Sequence, residues 1–355
     1  MSSPYEGAAK DEEYEEQLSL LKDMEETSRY WTGTNERYNV EYEALSSEGK
    51  GAQSRRSILG CGKNGEVSQV ICGKVPMAGK SVKASTYLPL AALKSEVEAI
   101  QKLESHRHIV KLVGSYTTSY HEEETLHILM FPVAHCDLDV FLNSLEDVSG
   151  IKPRLSSKSN HLEPLELLSG AGLAPVQTGG DELLEHLGLF LQKSMGCIAG
   201  ALWWIHDRKI AHDDLKPANI LLRRGKIFIT DFGISRDRCE AETTSTETWP
   251  GDTPGYSAPE KRAREKHDPF QADVYSLGCI YMHLLTVISR KSTRQDCVEA
   301  LQSGCKKREQ MVREYLRQYS PTLLHRVTSA VWQARANARP YTKLTPLINN
   351  QHAPR

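Results

Sequence analysis

The sequence predicts an α+β protein of about two domains or lobes. Three observations point there. A glycine-spaced run over 57–67 continues into Val70 and Ile71, which favour a strand over the helix that opens after a dinucleotide-binding glycine loop. Leu187, Leu191, Met195, Ile198, Leu202 and Ile205 recur at spacings of three and four, the stripe of a buried amphipathic helix. The runs 220–222 and 226–229 are short, apolar and separated by Arg223-Arg224-Gly225, which reads as a hairpin.

Composition narrows the classes. A chain of 355 residues buries roughly three quarters of its unfolded surface, enough for a real core. Lys and Arg number 44 against 46 Asp and Glu, a balance that argues against nucleic acid as the main partner. The eight cysteines form no C-x-x-C pair and no zinc-ligand spacing with histidine, so isolated thiols in a reducing compartment are expected. The N-terminus is acidic and polar, unlike a signal or transit peptide. No apolar run reaches the ~18 residues that span a membrane. An intracellular protein, cytoplasmic or nuclear and without a membrane partner, is the expectation.

Residues 1–52 form an acidic extension and linker. The segment 10–26 is rich in Glu and Asp, with Leu18, Leu20, Leu21 and Met24 as its large aliphatics; it reads either as a helix or as a disordered stretch. Tyr30, Trp31, Tyr38 and Tyr42 after it either dock the extension onto the main body or belong to a solvated acidic tail. Then Gly60, Gly62, Gly65 and Val67 complete G-x-G-x-x-G-x-V. As a strand-turn-strand flap, its glycines let backbone N–H groups approach phosphate oxygens with no Cβ between. Lys83, sixteen residues past Val67, falls where a third strand would carry an inward lysine. Leu90–Leu103 reads as a helix with Val97, Ile100 and Leu103 on one face and Glu96 beside it. Leu126–Phe131 is a short buried strand that Pro132 ends, having no N–H for a ladder. Asn143–Gly180, with three prolines and no sustained periodicity, reads as an insertion, long for a compact domain.

The chemistry concentrates in His212-Asp213-Asp214-Leu215-Lys216-Pro217-Ala218-Asn219-Ile220. Asp214 can accept a proton, Lys216 can neutralise a phosphate, and Asn219 can ligate a hard cation through its amide oxygen. Those parts move a phosphoryl group from a nucleotide to a hydroxyl. The stretch resembles the catalytic loop H-R-D-L-K-P-x-N of protein kinases, departing only at Asp213, where the family usually has Arg. Asp231-Phe232-Gly233 resembles the family's D-F-G, and Ala258-Pro259-Glu260 its A-P-E. The chain is similar to a eukaryotic-type serine/threonine protein kinase over about 55–350, the insertion excepted.

The resemblance implies a bilobal kinase-like fold, an N-lobe over 53–133 and a mainly helical C-lobe over 134–350. It implies γ-phosphoryl transfer from ATP to protein Ser or Thr, with Mg²⁺, or Mn²⁺ in its place. Leu59, Gly60, Gly62, Gly65, Val67, Met130, Phe131, Val133 and Leu221 would surround the nucleotide. Lys83 would position the phosphates, held by Glu96. Asp214 would be the base and Lys216 its partner; Asn219 and Asp231 would hold metal. Asp137 would stand where a polar residue reaches the ribose. Phe232, Gly233, Thr253, Glu260, Asp273 and Arg339 would build the activation segment and its supports, Asp273 bracing the catalytic loop and Arg339 pairing with Glu260. Lys216 and the 253–260 segment favour the Ser/Thr class over Tyr. Two like unit charges ~4 Å apart at an effective dielectric near 20 repel by about 4 kcal/mol, so Asp213 should oppose capture of an activation-loop phosphate by the usual Arg pocket. The hydroxyl cluster Thr243, Thr244, Ser245, Thr246 and Thr248 stays open as phosphorylation sites or a polar loop. A scaffold on the same fold would lack Lys83, Asp214 or Asp231, and all are present; a small-molecule phosphotransferase would generally lack the 253–260 features.

Overall fold

The structure is a computed structural model that describes residues 12–27, 40–41, 57–62, 65–72, 74–86, 88–103, 106–120, 123–148, 180–232, 255–262 and 267–289. It divides into two compact units, one of residues 1–105 and 110–133, the other of 106–109 and 134–355.

The first unit is a six-stranded sheet with one helix before the first strand and another between the fourth and fifth. Helix α1 spans Glu12–Thr27, β1 Val40–Glu41, β2 Ser57–Gly62, β3 Gly65–Cys72, β4 Val75–Lys83, α2 Leu90–Gln101, β5 Lys111–Tyr120 and β6 Glu123–Phe131. The strand order is β1-β5-β6-β4-β3-β2. All pairings are antiparallel except β1 on β5, which is parallel. Alternation sorts the side chains: in β3 and β4, Val70, Cys72, Val75 and Met77 are buried on one face, whereas Val67, Ala78 and Lys80 belong to the other, because antiparallel partners share a face.

The buried face is closed by α1. Leu21 is fully buried among Val70, Cys72, Val75, Met77, Val113, Tyr116, Leu129 and Phe131, with Tyr14, Leu18 and Leu20 packed against the cluster. Burying a leucine this completely contributes about 1.5–3 kcal/mol. The acidic extension is therefore a docked helix where it is described, and β1 adds a further edge strand. The alternative of a solvated tail fails for 12–27 because Tyr14, Leu18 and Leu21 recur at four and three, giving the acidic helix one apolar stripe. Tyr30, Trp31, Tyr38 and Tyr42 lie outside the described residues.

The second unit is helical around a small hairpin. It contains β7 (Cys136–Asp137), α3 (Leu138–Val148), α4 (Gly180–Asp207), β8 (Ile220–Arg223), β9 (Lys226–Ile229), α5 (Pro259–Arg262) and α6 (Pro269–Ser289). Asp137 caps α3: its Oδ1 accepts the Val140 N–H at 2.8 Å, which satisfies a donor the helix leaves unpaired. The predicted stripe on α4 is the core, with Leu187, Leu191, Met195, Ile198, Leu202 and Ile205 all buried. The insertion is narrower than expected at its start, since Asn143–Val148 completes α3 through the buried Leu145; 149–179 lies outside the described residues. The β8–β9 turn places positive φ at both Arg224 (41°) and Gly225 (75°), the handedness a two-residue hairpin requires. Among the described residues, no helix is long and apolar enough to cross a membrane.

Candidate active site

The catalytic loop, a single 3₁₀ turn at Pro217–Asn219 and the β8–β9 hairpin form one hydrogen-bonded block. Asp214 and Lys216 meet directly, Nζ to Oδ2 at 2.5 Å. Asn219 is almost wholly buried and donates its Nδ2 to the Asp214 carbonyl at 2.8 Å. The hairpin returns the chain beside it: the Thr230 N–H donates to the Asn219 carbonyl at 3.0 Å, so Asp231 follows within one residue of that contact. Asp231 has φ of 63°, a left-handed conformation rare outside glycine and often found where a site aims a side chain.

His212 and Asp273 hold the loop from behind. The His212 Nε2–H donates to the Thr230 carbonyl at 3.0 Å, and Nδ1 takes the Asp214 N–H at 3.4 Å. The same ring lies 5.0 Å from that of Phe232, centroid to centroid, and both residues are fully buried. Asp273, on α6, accepts the His212 N–H at 2.7 Å and the Asp213 N–H at 2.9 Å. Its Oδ2 also accepts from His206 Nε2 at 2.8 Å. Burial alone would raise the Asp273 pKa, but the His206 hydrogen bond, the nearby histidines and the His212 N–H outweigh it and hold the carboxyl below its ordinary range. The Asp213 carbonyl takes a short hydrogen bond from Lys261 Nζ on α5. Asp213 itself has φ of 64°, a conformation Asp tolerates better than most residues. Neither His206 nor Lys261 stands out in the sequence. His206 lies on an apolar helix and reads as core, and Lys261 sits one past Glu260 and has no signature.

In the first unit the lysine assignment changes. Lys83 is three-quarters exposed and bonds Glu123 Oε2 at 3.0 Å. It lies three residues along an unbroken ladder from Lys80, hence on the opposite face. Lys80 is the residue paired with Val67 across β3–β4. Its neighbour two back, Ala78, pairs with Met130 on β6. The face carrying Val67 and Met130 therefore presents Lys80, not Lys83. The spacing of sixteen misleads because it counts residues without the register. The A-x-K order that kinases place in this strand is carried by Ala78-Gly79-Lys80, a signal that is legible in the sequence. Glu96 belongs to α2, between the buried Leu93 and Ile100 in sequence; its side chain lies outside the described residues.

The remaining expected residues fall as follows. Leu59 and Gly60 are exposed on β2, Gly62 ends that strand, and Gly65 opens β3. Gly65 has φ of 154°, and a Cβ there would stand 2.2 Å from the Ser81 carbonyl oxygen, so only glycine fits. Met130 and Phe131 are buried at the end of β6, Val133 is half-buried, and Leu221 is half-buried on β8. Glu260 is half-buried on α5. Gly233, Thr253, Arg339 and the cluster Thr243–Thr248 lie outside the described residues. Nearby, Tyr256 is fixed by Ser276 Oγ, which donates to its carbonyl at 2.9 Å, and by His283, 2.9 Å from its hydroxyl.

A family model described as protein tyrosine and serine/threonine kinase matches residues 54–345. A probable serine/threonine-protein kinase of Streptomyces coelicolor is 36% identical over 125 residues, 35% of this chain and 18% of that protein. Serine/threonine-protein kinase PknJ of Mycobacterium tuberculosis is 40% identical over 97 residues, 26% of this chain and 16% of that one. Serine/threonine-protein kinase hal4 of Schizosaccharomyces pombe is 36% identical over 135 residues, 36% of this chain and 20% of its own length. The chain thus spans a fifth or less of these relatives. With its glycine-rich hairpin, its Asp214–Lys216–Asn219 block and a match over 54–345, the chain belongs to the protein tyrosine and serine/threonine kinase family, with that family's bilobal α+β fold.

Proposed function

We propose that this chain is a serine/threonine protein kinase that transfers the γ-phosphoryl group of ATP to protein hydroxyls. The observation that carries this reading is the block in which Asp214 touches Lys216 at 2.5 Å while Asn219 holds the Asp214 carbonyl. Asp214 orients the substrate hydroxyl and takes its proton, a role that needs an ionised carboxylate fixed within hydrogen-bond reach. Lys216, ion-paired to that carboxylate, faces charge on the transferring group. The β2–β3 glycine hairpin and Lys80 serve the phosphates, and Lys80 replaces Lys83 in that part. Asn219 and Asp231 fit a hard divalent cation: Asn219 commits its Nδ2 to Asp214, so its Oδ1 is the atom left to ligate. Mg²⁺ bound there, or Mn²⁺, would neutralise phosphate charge.

The Ser/Thr class is supported by Lys216, two residues past the base, and by the names of the relatives. An intracellular setting agrees with Cys72, Cys136, Cys197 and Cys279 standing outside any disulfide. Asp213 gives the loop no cation for an activation-loop phosphate; the backbone of this residue is held instead by Asp273 and Lys261.

Incubation with ATP labelled at the γ-phosphorus, Mg²⁺ and generic protein substrates tests the reading. Label on Ser and Thr is expected; nucleotide binding with no transfer, or label confined to Tyr, would overturn it. In the same assay, alanine at Thr243, Thr244, Ser245, Thr246 and Thr248 together leaves activity within about threefold. Abolition rescued by Glu at one of them would show that the loop is phosphate-switched after all.

A further inference from the structure

We infer that α1 is a positioning element for adenine, acting through a stack of Tyr14 on Phe131; this rests on the kinase reading above. The two rings lie 5.5 Å apart at 22°, an offset-stacking geometry. Phe131 is almost fully buried and ends β6. Its side chain belongs to the cluster under α1, with Leu21, Leu129 and Met77. Its backbone belongs to the segment Phe131–Val133, which the kinase resemblance sets against the adenine edge of the nucleotide. One residue therefore has its ring clamped by the extension and its main chain turned to nucleotide recognition.

The clamp is specific. Ladder hydrogen bonds fix Phe131 only on the β5 side, opposite Lys111; β4 pairs with β6 no further along than Met130, opposite Ala78. The last residue of β6 thus has one strand neighbour where Thr125–Met130 lie between two strands, and the Tyr14 ring supplies contact on its face. Tyr14, Leu18 and Leu21 are the apolar stripe of α1, and the acidic residues Glu12, Glu13, Glu15 and Glu16 occupy its remaining surface. The helix contributes no group to chemistry. It sets where the strand end sits, and through it the affinity for the base and not for the phosphates.

The test uses the full chain with Tyr14→Ala, Tyr14→Phe and Leu21→Ala. Calorimetry measures binding of adenosine and of inorganic triphosphate with Mg²⁺, and steady-state assays give KM for ATP and kcat. Tyr14→Ala is expected to weaken adenosine binding and raise KM for ATP by roughly three- to tenfold, with kcat within twofold and triphosphate binding unchanged. Tyr14→Phe restores wild-type values, since the ring and not the hydroxyl makes the stack. Leu21→Ala, removing a buried anchor of the same helix, shifts the same parameters in the same direction. Unchanged adenosine affinity in Tyr14→Ala would overturn the inference. So would equal weakening toward adenosine and triphosphate, which marks general loosening. Wild-type protein that binds neither probe would instead sink the kinase reading itself.

Discussion

At the residue scale, the molecule separates side chains of the same type by the face they occupy. Lys80 and Lys83 are three apart on β4, yet one is paired in register with Val67 and the other reaches Glu123 in solvent. Exposed ion pairs of that kind are worth about 0–1 kcal/mol, so Lys83→Ala should leave activity within about twofold. Lys80→Ala should lower kcat/KM for ATP by about a hundredfold or more, since in the proposed function it is the cation of that strand that serves the phosphates. Steady-state kinetics on the two variants decide between them, and the reverse ranking would restore Lys83. The catalytic block is legible at this scale because its residues are contiguous: Asp214, Lys216 and Asn219 can be named from spacing alone. Asp273 is legible by resemblance, but its third partner, His206, is not, because a histidine on an apolar helix reads as core until its hydrogen bond to a distant carboxylate is seen.

At the element scale, the glycine hairpin makes distinct demands at each glycine. A Cβ added at Gly60 would meet nothing within 4 Å, whereas at Gly65 the Ser81 carbonyl oxygen would stand 2.2 Å from it and φ is 154°. Gly65→Ala should therefore strain the β3–β4 ladder and lower the unfolding midpoint by several degrees, while Gly60→Ala shifts it by less than a degree or two; thermal unfolding of both variants measures this. Periodicity gives α4 and its buried stripe, because a helix that faces a core on one side must repeat near 3.6. It does not decide whether the segment 12–27 docks. Its charge density argues for solvent, and a stripe of three apolar residues outweighs that only because a hydrophobic sheet face is there to cover. Nor does it place the end of α3, where Asn143 and Ser144 read as loop residues; both side chains bond to backbone carbonyls of their own helix, Asp139 and Val140, and so belong to it.

At the scale of the whole molecule, acid should erode stability over two successive pH ranges. His106 packs beside Trp204 and near Arg208, where desolvation first, then His108, Arg107 and Arg208, lower its pKa from 6.5 to about 4. The folded state thus keeps this ring neutral while the unfolded chain binds the proton. Stability is complete above the unfolded value and falls as pH drops from 6.5 toward 4. His108, lowered chiefly by desolvation, adds to the same slope. Asp273, held low, contributes stability above the unfolded carboxylate value near 4, which is lost as pH falls through the range below it. Melting temperatures between about pH 7 and 4 should decline, and His106→Gln should flatten part of that decline; a flat wild-type profile would contradict the assignment. The central claim concerns chemistry, and Asp214→Asn tests it most directly, because the amide keeps the shape and removes the base. Measured with ATP and a Ser/Thr protein substrate, kcat should fall by at least a hundredfold with ATP affinity within about threefold of wild type. Turnover that survives the substitution unchanged would show that Asp214 is not the base and that the catalytic block has another purpose.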